Sequence, residues 1–275
     1  MNIFNILLIQ PLANGLIVFY KVLASNMGLA IIGFSLFLRF ILNPLTKPYL
    51  ESMKKIKDVA PQIEKIKKRY KDDKLKFAQA QADLYREKKI NPGAGCLPYL
   101  LQIVVLIAFF NVFTTTLSPG TNTTERFNQL LYPPLKFQEN EMVNTRFLYL
   151  DITQPDSYKI DFLPVRIPGP ILILAAVVQF LSAKVMTPIT QIEEKVAKKS
   201  KEKEDDIQVA MQKSMIYTFP LFTLIIGINF ASGLALYWLV FSLSQMYQQV
   251  KMQGWGGLTP LIKKTKLLKL EDNLS

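Results

Sequence analysis

Residues 33 to 47, GFSLFLRFILNPLTK, place a single arginine inside a run of leucine, isoleucine and phenylalanine. Together with the residues before it, this run has the length and apolar character of a membrane-spanning helix. A charged side chain at the centre of a bilayer costs about 2.5 to 3.5 kcal/mol on insertion scales, so contact of Arg39 with lipid tails is disfavoured. The stretch therefore predicts a membrane span over residues 27–46 whose arginine faces away from the lipid tails.

The composition of the whole chain agrees with a membrane protein. Half of the 275 residues are apolar, and the formal net charge is nevertheless +12. No Lys, Arg, Asp or Glu occurs within 22–38, 90–124, 167–183 or 214–250, and each stretch can cross roughly 30 Å of hydrocarbon as a helix. This segregation predicts an all-α, polytopic membrane protein with basic loops, and it argues against a soluble domain or a nucleic-acid-binding protein.

The residue types exclude several kinds of chemistry. The chain has no histidine and one cysteine, Cys96, which excludes an intrachain disulfide, histidine-based catalysis and a zinc site of Cys and His ligands. GWGG at 254–257 is not a phosphate-binding loop, and we interpret it as a flexible joint in the tail. We therefore predict a protein that is not an enzyme and that has no catalytic residue, cofactor or metal.

Apolar stretches and the turn residues between them predict five membrane-spanning helices. Asn43-Pro44 and Pro48 are expected to end the first span, since proline lacks an amide hydrogen and disfavours helix in the residue before it. Residues 211–250 are too long for one crossing, and GINFASG near their middle supplies turn residues. The predicted spans are 27–46, 94–115, 168–187, 212–228 and 232–250.

The segments outside the spans differ in character. Residues 1–26 are apolar but interrupted by polar residues, which favours an external amphipathic helix on the membrane surface and leaves a span as the alternative. Residues 47–93 are densely charged with isoleucines at helical spacing, and they predict a helical hairpin in water whose turn is YKDDK. A loop at 116–167, a lysine-rich connector at 188–211 and a basic tail at 251–275 complete the chain.

The distribution of basic residues predicts the orientation in the membrane. With the N-terminus outside, the segments on the inner side carry 25 Lys and Arg residues and those on the outer side carry six. Basic residues concentrate on the cytoplasmic side of membrane proteins. This bias predicts an external N-terminus and a cytoplasmic C-terminus.

Polar side chains in the other spans supply possible surroundings for Arg39. Trp238, Ser242 and Gln245 follow one another at spacings that place them on one face of the fifth span. No acidic residue occurs in any predicted span, so the sequence offers Arg39 no carboxylate within the membrane. We therefore predict a water-filled groove lined by Arg39, Gln102, Gln179, Ser182, Trp238, Ser242 and Gln245.

Simpler explanations exist for the same residues. An arginine one or two turns from the interface can extend its side chain to the lipid headgroups. Ser, Gln and Trp often tie membrane helices together through hydrogen bonds. A small-solute or anion transporter or channel that uses Arg39 as its anion site is the alternative function, and the absence of an inverted repeat in the sequence counts against it.

Three stretches together resemble the YidC/Oxa family of membrane protein insertases. They are MGLAIIGFSLFLRFILNPL at 27–45, APQIEKIKKRYKDDKLKFAQAQADLYREKKINPGAGCLPYLLQ at 60–102 and GLALYWLVFSLSQMYQQ at 233–249. The resemblance implies a bacterial plasma membrane protein with five helices around a hydrophilic groove. This groove would open to the cytoplasm and to lipid, and Arg39 would keep it hydrated and electropositive.

The activity that the resemblance implies is insertion of newly made membrane proteins without hydrolysis, alone or with a Sec translocon. Arg39 would attract acidic residues of the client, an attraction that water and salt weaken. The hairpin would receive clients or contact the ribosome and the signal recognition machinery. The implied partners are therefore nascent membrane proteins, the lipid bilayer and these assemblies, with no recognition of a specific nucleic-acid sequence. The segment 116–167 has no role in this interpretation.

Overall fold

The structure is a computed structural model, and most of the residues that it describes are helical, as the all-α class predicts. The described residues are 3–70, 73–90, 97–117, 120, 122–138, 141–160, 162, 166–185, 216–259 and 262. The predicted connector at 188–211 lies outside them, as does the tail beyond Ile262.

A π-helical turn, Asn5–Ile9, leads into the first α-helix. The helices are α1 (Gln10–Val22), α2 (Met27–Arg69), α3 (Lys74–Glu87), α4 (Leu97–Thr116), α5 (Thr123–Leu130), α6 (Pro170–Val185), α7 (Ile216–Gly227) and α8 (Ser232–Gln253). The strands are β1 (Arg146–Phe147), β2 (Leu150–Asp151), β3 (Ser157–Lys159) and β4 (Arg166–Pro168). β1 pairs with β2 and β3 with β4, both antiparallel. Short 3₁₀ helices occupy Pro133–Leu135 and Gly256–Leu258.

The first predicted span is part of a much longer helix. α2 continues through Pro44, Pro48 and Pro61 to Arg69, a length of 43 residues. The prediction that Asn43-Pro44 ends the helix is therefore wrong. A proline removes one backbone hydrogen bond, but the lysines, glutamates and isoleucines that follow favour helix, and their apolar side chains pack against α3.

Two of the described helical segments are long and apolar enough to cross a membrane, Asn5–Val22 and Met27–Leu45. Three shorter apolar helical segments accompany them, Ile103–Thr116, Pro170–Val185 and Ile216–Gly227. Core helices of soluble proteins can have the same length and apolar composition. The segment before α2 has the dimensions of a span as well as of the surface helix that the sequence predicts.

The chain forms two compact units. One consists of Met1–Asn43, Tyr99–Gln179 and Pro220–Ser244, and the second of Pro44–Pro98, Phe180–Phe219 and Gln245–Ser275. The first unit contains the large apolar core, to which α1, α2, α4, α6, α8 and the segment after α5 contribute buried side chains, including Leu16, Ile31, Phe113, Ala175, Tyr237 and Ile152.

Within the first unit, polar residues of α1 bind the segment that follows α5. Asn14 is only 4% exposed, donates from Nδ2 to the carbonyl oxygen of Leu130 at 3.1 Å and accepts at Oδ1 from the amide of Tyr132 at 2.7 Å. The hydroxyl of Tyr20 accepts from the amide of Asn144 at 2.9 Å. These side chains thus attach α1 to residues 130–144.

The second unit contains the helical hairpin that the sequence predicts, formed by the later part of α2 and by α3. Asp73 caps α3, since its carboxylate accepts from the amide of Lys76 at 3.0 Å and lies 2.8 Å from Nζ of the same lysine. The side-chain hydrogen bond from Lys76 holds the pKa of Asp73 below its ordinary value. A small core joins the two helices and includes Ile56, Val59, Ile63, Leu84 and Ile90.

GWGG, interpreted from the sequence as a flexible joint, forms a turn packed on the end of α6. Gly254 and Gly256 both have positive φ, +72° and +49°, which favours glycine at these positions. A side chain at position 256 would collide with the carbonyl oxygen of Val185. Close backbone contact within the second unit therefore explains the glycine at position 256 without any need for mobility.

Candidate functional site

The side chain of Arg39 reaches from α2 to α8 within the first unit. Its Cζ lies 4.7 Å from the centroid of the Phe241 ring, and the residue is half-buried. A cation over an aromatic face is attracted by the negative potential of the ring, by about 0.5 to 1 kcal/mol at exposed sites and about 2 kcal/mol when desolvated. The guanidinium is therefore held against α8.

Phe241 belongs to a chain of aromatic rings that begins on α2, crosses α4 and ends on α8. Phe34 of α2 lies 5.9 Å from Phe109 of α4, measured between ring centroids. Phe109 stacks on Tyr237 at 4.4 Å, and Tyr237 lies 6.0 Å from Phe241. This chain fixes the position of the ring that Arg39 contacts.

Trp238 and Ser242 lie one turn apart on α8, in the same unit as Arg39. They are 7% and 5% exposed. Among the residues that the structure describes, no atom accepts a hydrogen bond from the buried Nε1 of Trp238. Because buried indole N–H groups usually have an acceptor, this position is suited to donate to water or to a bound chain.

The polar side chains of α6 make hydrogen bonds to neighbouring helices. Within the first unit, Thr223 of α7 donates to Oε1 of Gln179 at 2.8 Å. Within the second unit, Ser182 donates to Oε1 of Gln249 on α8, also at 2.8 Å. All four residues are buried. These bonds agree with the interhelical explanation that the sequence also allowed, and the lining of a groove by Gln179 and Ser182 stays a prediction.

The structure thus brings together part of the predicted set. Arg39, Trp238 and Ser242 lie in one unit, and Arg39 contacts the α8 helix that carries the other two. Gln245 is half-buried and belongs to the second unit. For Gln102 the structure describes only the helical backbone of α4. Among the residues that the structure describes, no group of three His, Cys, Asp or Glu side chains could hold a metal ion.

Sequence reasoning missed three partners of these residues, namely Thr223, Phe241 and Gln249. Phenylalanine is common in apolar spans. The presence of Phe241 in the sequence therefore does not indicate that a cation lies over its ring. The only available signal for Thr223 and Gln249 was their polarity within apolar segments. A single polar residue does not reveal which helix it faces, because that depends on packing between distant segments.

Comparison with known proteins gives one family and several relatives. Residues 18–256 match the family model described as 60Kd inner membrane protein. The chain is 32% identical over 225 residues to membrane protein insertase YidC of Fusobacterium nucleatum, which covers 82% of this chain and 85% of that protein. It is 31% identical over 267 residues to membrane protein insertase YidC 2 of Bacillus anthracis, covering 93% and 86%.

A third relative is similar over a shorter region. The chain is 45% identical over 108 residues to membrane protein insertase YidC of Caulobacter vibrioides, which covers 39% of this chain and 17% of that protein. The family match extends from within α1 to the residues just after α8. It therefore includes Arg39, Phe241, Trp238 and Ser242.

Proposed function

Because the chain belongs to the 60Kd inner membrane protein family, the YidC/Oxa family, we propose that it is a membrane protein insertase. Two of its relatives carry that name and are aligned over more than 80% of both chains. The protein is a membrane protein, as its family and its apolar helices indicate. The names of the relatives describe no enzymatic activity and do not favour the transporter alternative.

The observation that carries the proposal is the position of Arg39 over Phe241, beside a helix that buries Trp238 and Ser242. A chain that enters a membrane must move polar groups through hydrocarbon, where each unsatisfied group costs several kcal/mol. The guanidinium of Arg39 and the indole N–H of Trp238 would offer hydrogen-bond donors to such groups. A hydrated groove lined by them would shorten the apolar path.

Arg39 would act first by attracting acidic residues in the translocating segment of the client. The cation lies over the Phe241 ring, and its positive charge would attract a client carboxylate. Water and salt in the groove weaken this attraction, which keeps it transient. The apolar span of the client would then leave the groove into lipid alongside α6 and α8.

The arrangement of the membrane spans around the groove is also part of the proposal. We infer five spans, which lie in the first part of α2 and in α4, α6, α7 and α8, around a groove open to the cytoplasm. Gln102, Gln179, Ser182 and Gln245 would complete its lining. The excess of basic residues in the segments 47–93, 188–211 and 251–275 supports an external N-terminus and a cytoplasmic C-terminus in a bacterial plasma membrane.

Partners beyond the client are proposed from the charge of the hairpin. Fourteen Lys and Arg residues stand between positions 47 and 91 against seven acidic residues. Such a surface steers acidic or RNA-rich partners, which suits the ribosome and the signal recognition machinery, and a Sec translocon could work beside it. Removal of residues 51–89 should then impair insertion more than it disturbs the membrane helices.

Reconstitution tests the proposed function directly. The purified full chain in liposomes of bacterial lipid should protect the acidic N-terminal tail of a single-span client from added protease. Protein-free liposomes and liposomes with Arg39→Ala are the comparisons. A wild-type protein that conducts small anions through these vesicles but protects no client tail would establish the transporter alternative instead.

A further inference from the structure

The first turn of α6 is capped by two side chains from earlier in the chain. Pro170 begins the helix and has no amide hydrogen to satisfy. The amide of Ile171 donates to the hydroxyl of Tyr149 at 3.0 Å. The amide of Leu172 donates to Oδ2 of Asp156 at 2.8 Å. Amides at a helix start lack partners within the helix, so Tyr149 and Asp156 satisfy donors that would otherwise be unpaired.

Asp156 and Tyr149 are also bonded to each other. The hydroxyl of Tyr149 donates to Oδ1 of Asp156 at 3.1 Å, and Asp156 is 3% exposed. The negative carboxylate lies at the positive end of the α6 dipole, which stabilises it there. Burial raises the pKa of Tyr149 to about 12, so the hydroxyl keeps its proton at neutral pH and remains a donor.

Gly169 closes this arrangement next to the helix. Its amide donates to the carbonyl oxygen of Asp156 at 2.8 Å. A side chain at position 169 would collide with the Asp156 carboxylate, so the close approach requires glycine. The β3–β4 hairpin connects Asp156 to Gly169, and its two ends are therefore joined at the start of α6.

The described residues of the segment 141–169 bind the ends of other helices of the first unit as well. The amide of Met27, which begins α2, donates to the carbonyl oxygen of Asn144 at 3.0 Å. At the start of α8, the amide of Ser232 donates to the carbonyl oxygen of Gln154 at 2.7 Å. Just after α7, the carbonyl oxygen of Ile228 accepts from the hydroxyl of Ser157 at 3.0 Å. One segment thus holds the ends of four helices.

We propose that Asp156 and Tyr149 are positioning residues that lock the N-terminal end of α6, through segment 141–169, to the ends of α2, α7 and α8. The inference rests on the insertase function proposed above and gives a role to a segment that the sequence left without one. Gln179, further along α6, is thereby held beside Thr223.

Hydrogen exchange followed by mass spectrometry tests the lock without reference to activity. In Asp156→Ala, exchange of the amides at Ile171 and Leu172 should become about tenfold faster or more, because a hydrogen bond to a charged acceptor is lost. Asp156→Asn keeps one acceptor oxygen and should give an intermediate rate. Peptides from α3, in the second unit, should exchange as in the wild-type protein.

A matched pair of tyrosine variants supplies the control. Tyr149→Phe removes the hydroxyl that joins Asp156 to Ile171, whereas Tyr158→Phe changes a tyrosine on β3 that is equally exposed, at 50%. In proteoliposomes of the full chain, Asp156→Ala and Tyr149→Phe should lower the rate of client insertion by about threefold or more, since small misplacements of a working site reduce its rate. Tyr158→Phe should insert at the wild-type rate, and Asp156→Asn should recover part of the loss.

The outcomes separate this inference from the proposed function. Wild-type exchange at Ile171 and Leu172 in Asp156→Ala would show that no lock exists. Faster exchange together with wild-type insertion would show that the lock does not position the working site. If the wild-type protein itself inserts no client, the proposed function and the positioning role fail together, and the exchange rates still decide whether Asp156 holds α6.

Discussion

The guanidinium carbon of Arg39 lies 4.7 Å from the centre of the Phe241 ring, and this contact joins the apolar first part of α2 to α8. The ring is held in turn by Tyr237 and Phe109. The position of the positive charge therefore depends on an aromatic residue of another helix as well as on α2 itself.

Replacement of Phe241 tests this dependence. Phe241→Leu keeps an apolar side chain but removes the cation–π contact, worth about 0.5 to 2 kcal/mol, so Arg39 should occupy more than one position and insertion should slow a few-fold. Phe241→Tyr keeps the ring and should preserve the rate. Insertion into proteoliposomes measures the effect, with Phe40→Leu as the control because Phe40 is 77% exposed. Equal insertion rates for Phe241→Leu and Phe241→Tyr would show that the aromatic ring does not contribute to insertion.

Substitution of Arg39 distinguishes charge from geometry. Arg39→Ala should strongly impair insertion of a client with an acidic external tail, whereas Arg39→Lys should largely preserve it because the charge and its attraction to the ring remain. The rate should also fall as salt rises for the acidic client, and less so for a client with a neutral tail. An equal loss in Ala and Lys variants would indicate bidentate hydrogen bonding by the guanidinium instead.

Thiol labelling tests whether the groove contains water. In a Cys96→Ser background, a cysteine at position 242 should react with a membrane-impermeant thiol reagent in intact bilayers, and cysteines at 102 and 182 should do so as well. Leu243 is adjacent on α8 and 43% exposed on the protein surface, so a cysteine there should face lipid and react poorly. Labelling at 243 but not at 242 would contradict a hydrated groove.

Substitution in the core of the hairpin should reduce stability locally. Ile63 is 1% exposed in a cluster of five buried residues, so Ile63→Ala should destabilise the packing of α2 on α3 by about 2 to 5 kcal/mol. Hydrogen exchange at Leu84 should then become faster, while α4 and α6 exchange normally. Leu75→Ala, at a side chain that is 74% exposed, is the control. Uniformly faster exchange in all helices would mean that the hairpin core supports the whole chain.

The sequence predicted the helices where a local pattern determines them. Segregated charge and apolar runs located α4, α6, α7 and α8, and isoleucine spacing with YKDDK located the turn between α2 and α3. The continuation of α2 through Pro44 and Pro48 was missed, because helix-forming residues and packing on α3 override the local effect of proline.

Contacts between distant segments could not be read from one sequence. Asp156 caps a helix that begins 14 residues later, although a local rule places capping residues directly before the first turn. Likewise, nothing in the span around Arg39 indicates that Phe241, some two hundred residues away, supplies its aromatic partner. Such relationships depend on which helices pack together, and the three-dimensional arrangement is needed to find them.

Crosslinking from position 238 tests the central claim that Arg39, Trp238 and Ser242 form the surface that receives a client. A photoreactive amino acid in place of Trp238 should form an adduct with a ribosome-stalled, single-span membrane protein whose tail is acidic. The same amino acid in place of the exposed Leu75 on α3 is the comparison. An adduct at 238 that weakens when Arg39 is changed to alanine is the predicted result, and active insertion with no adduct at 238 would contradict it.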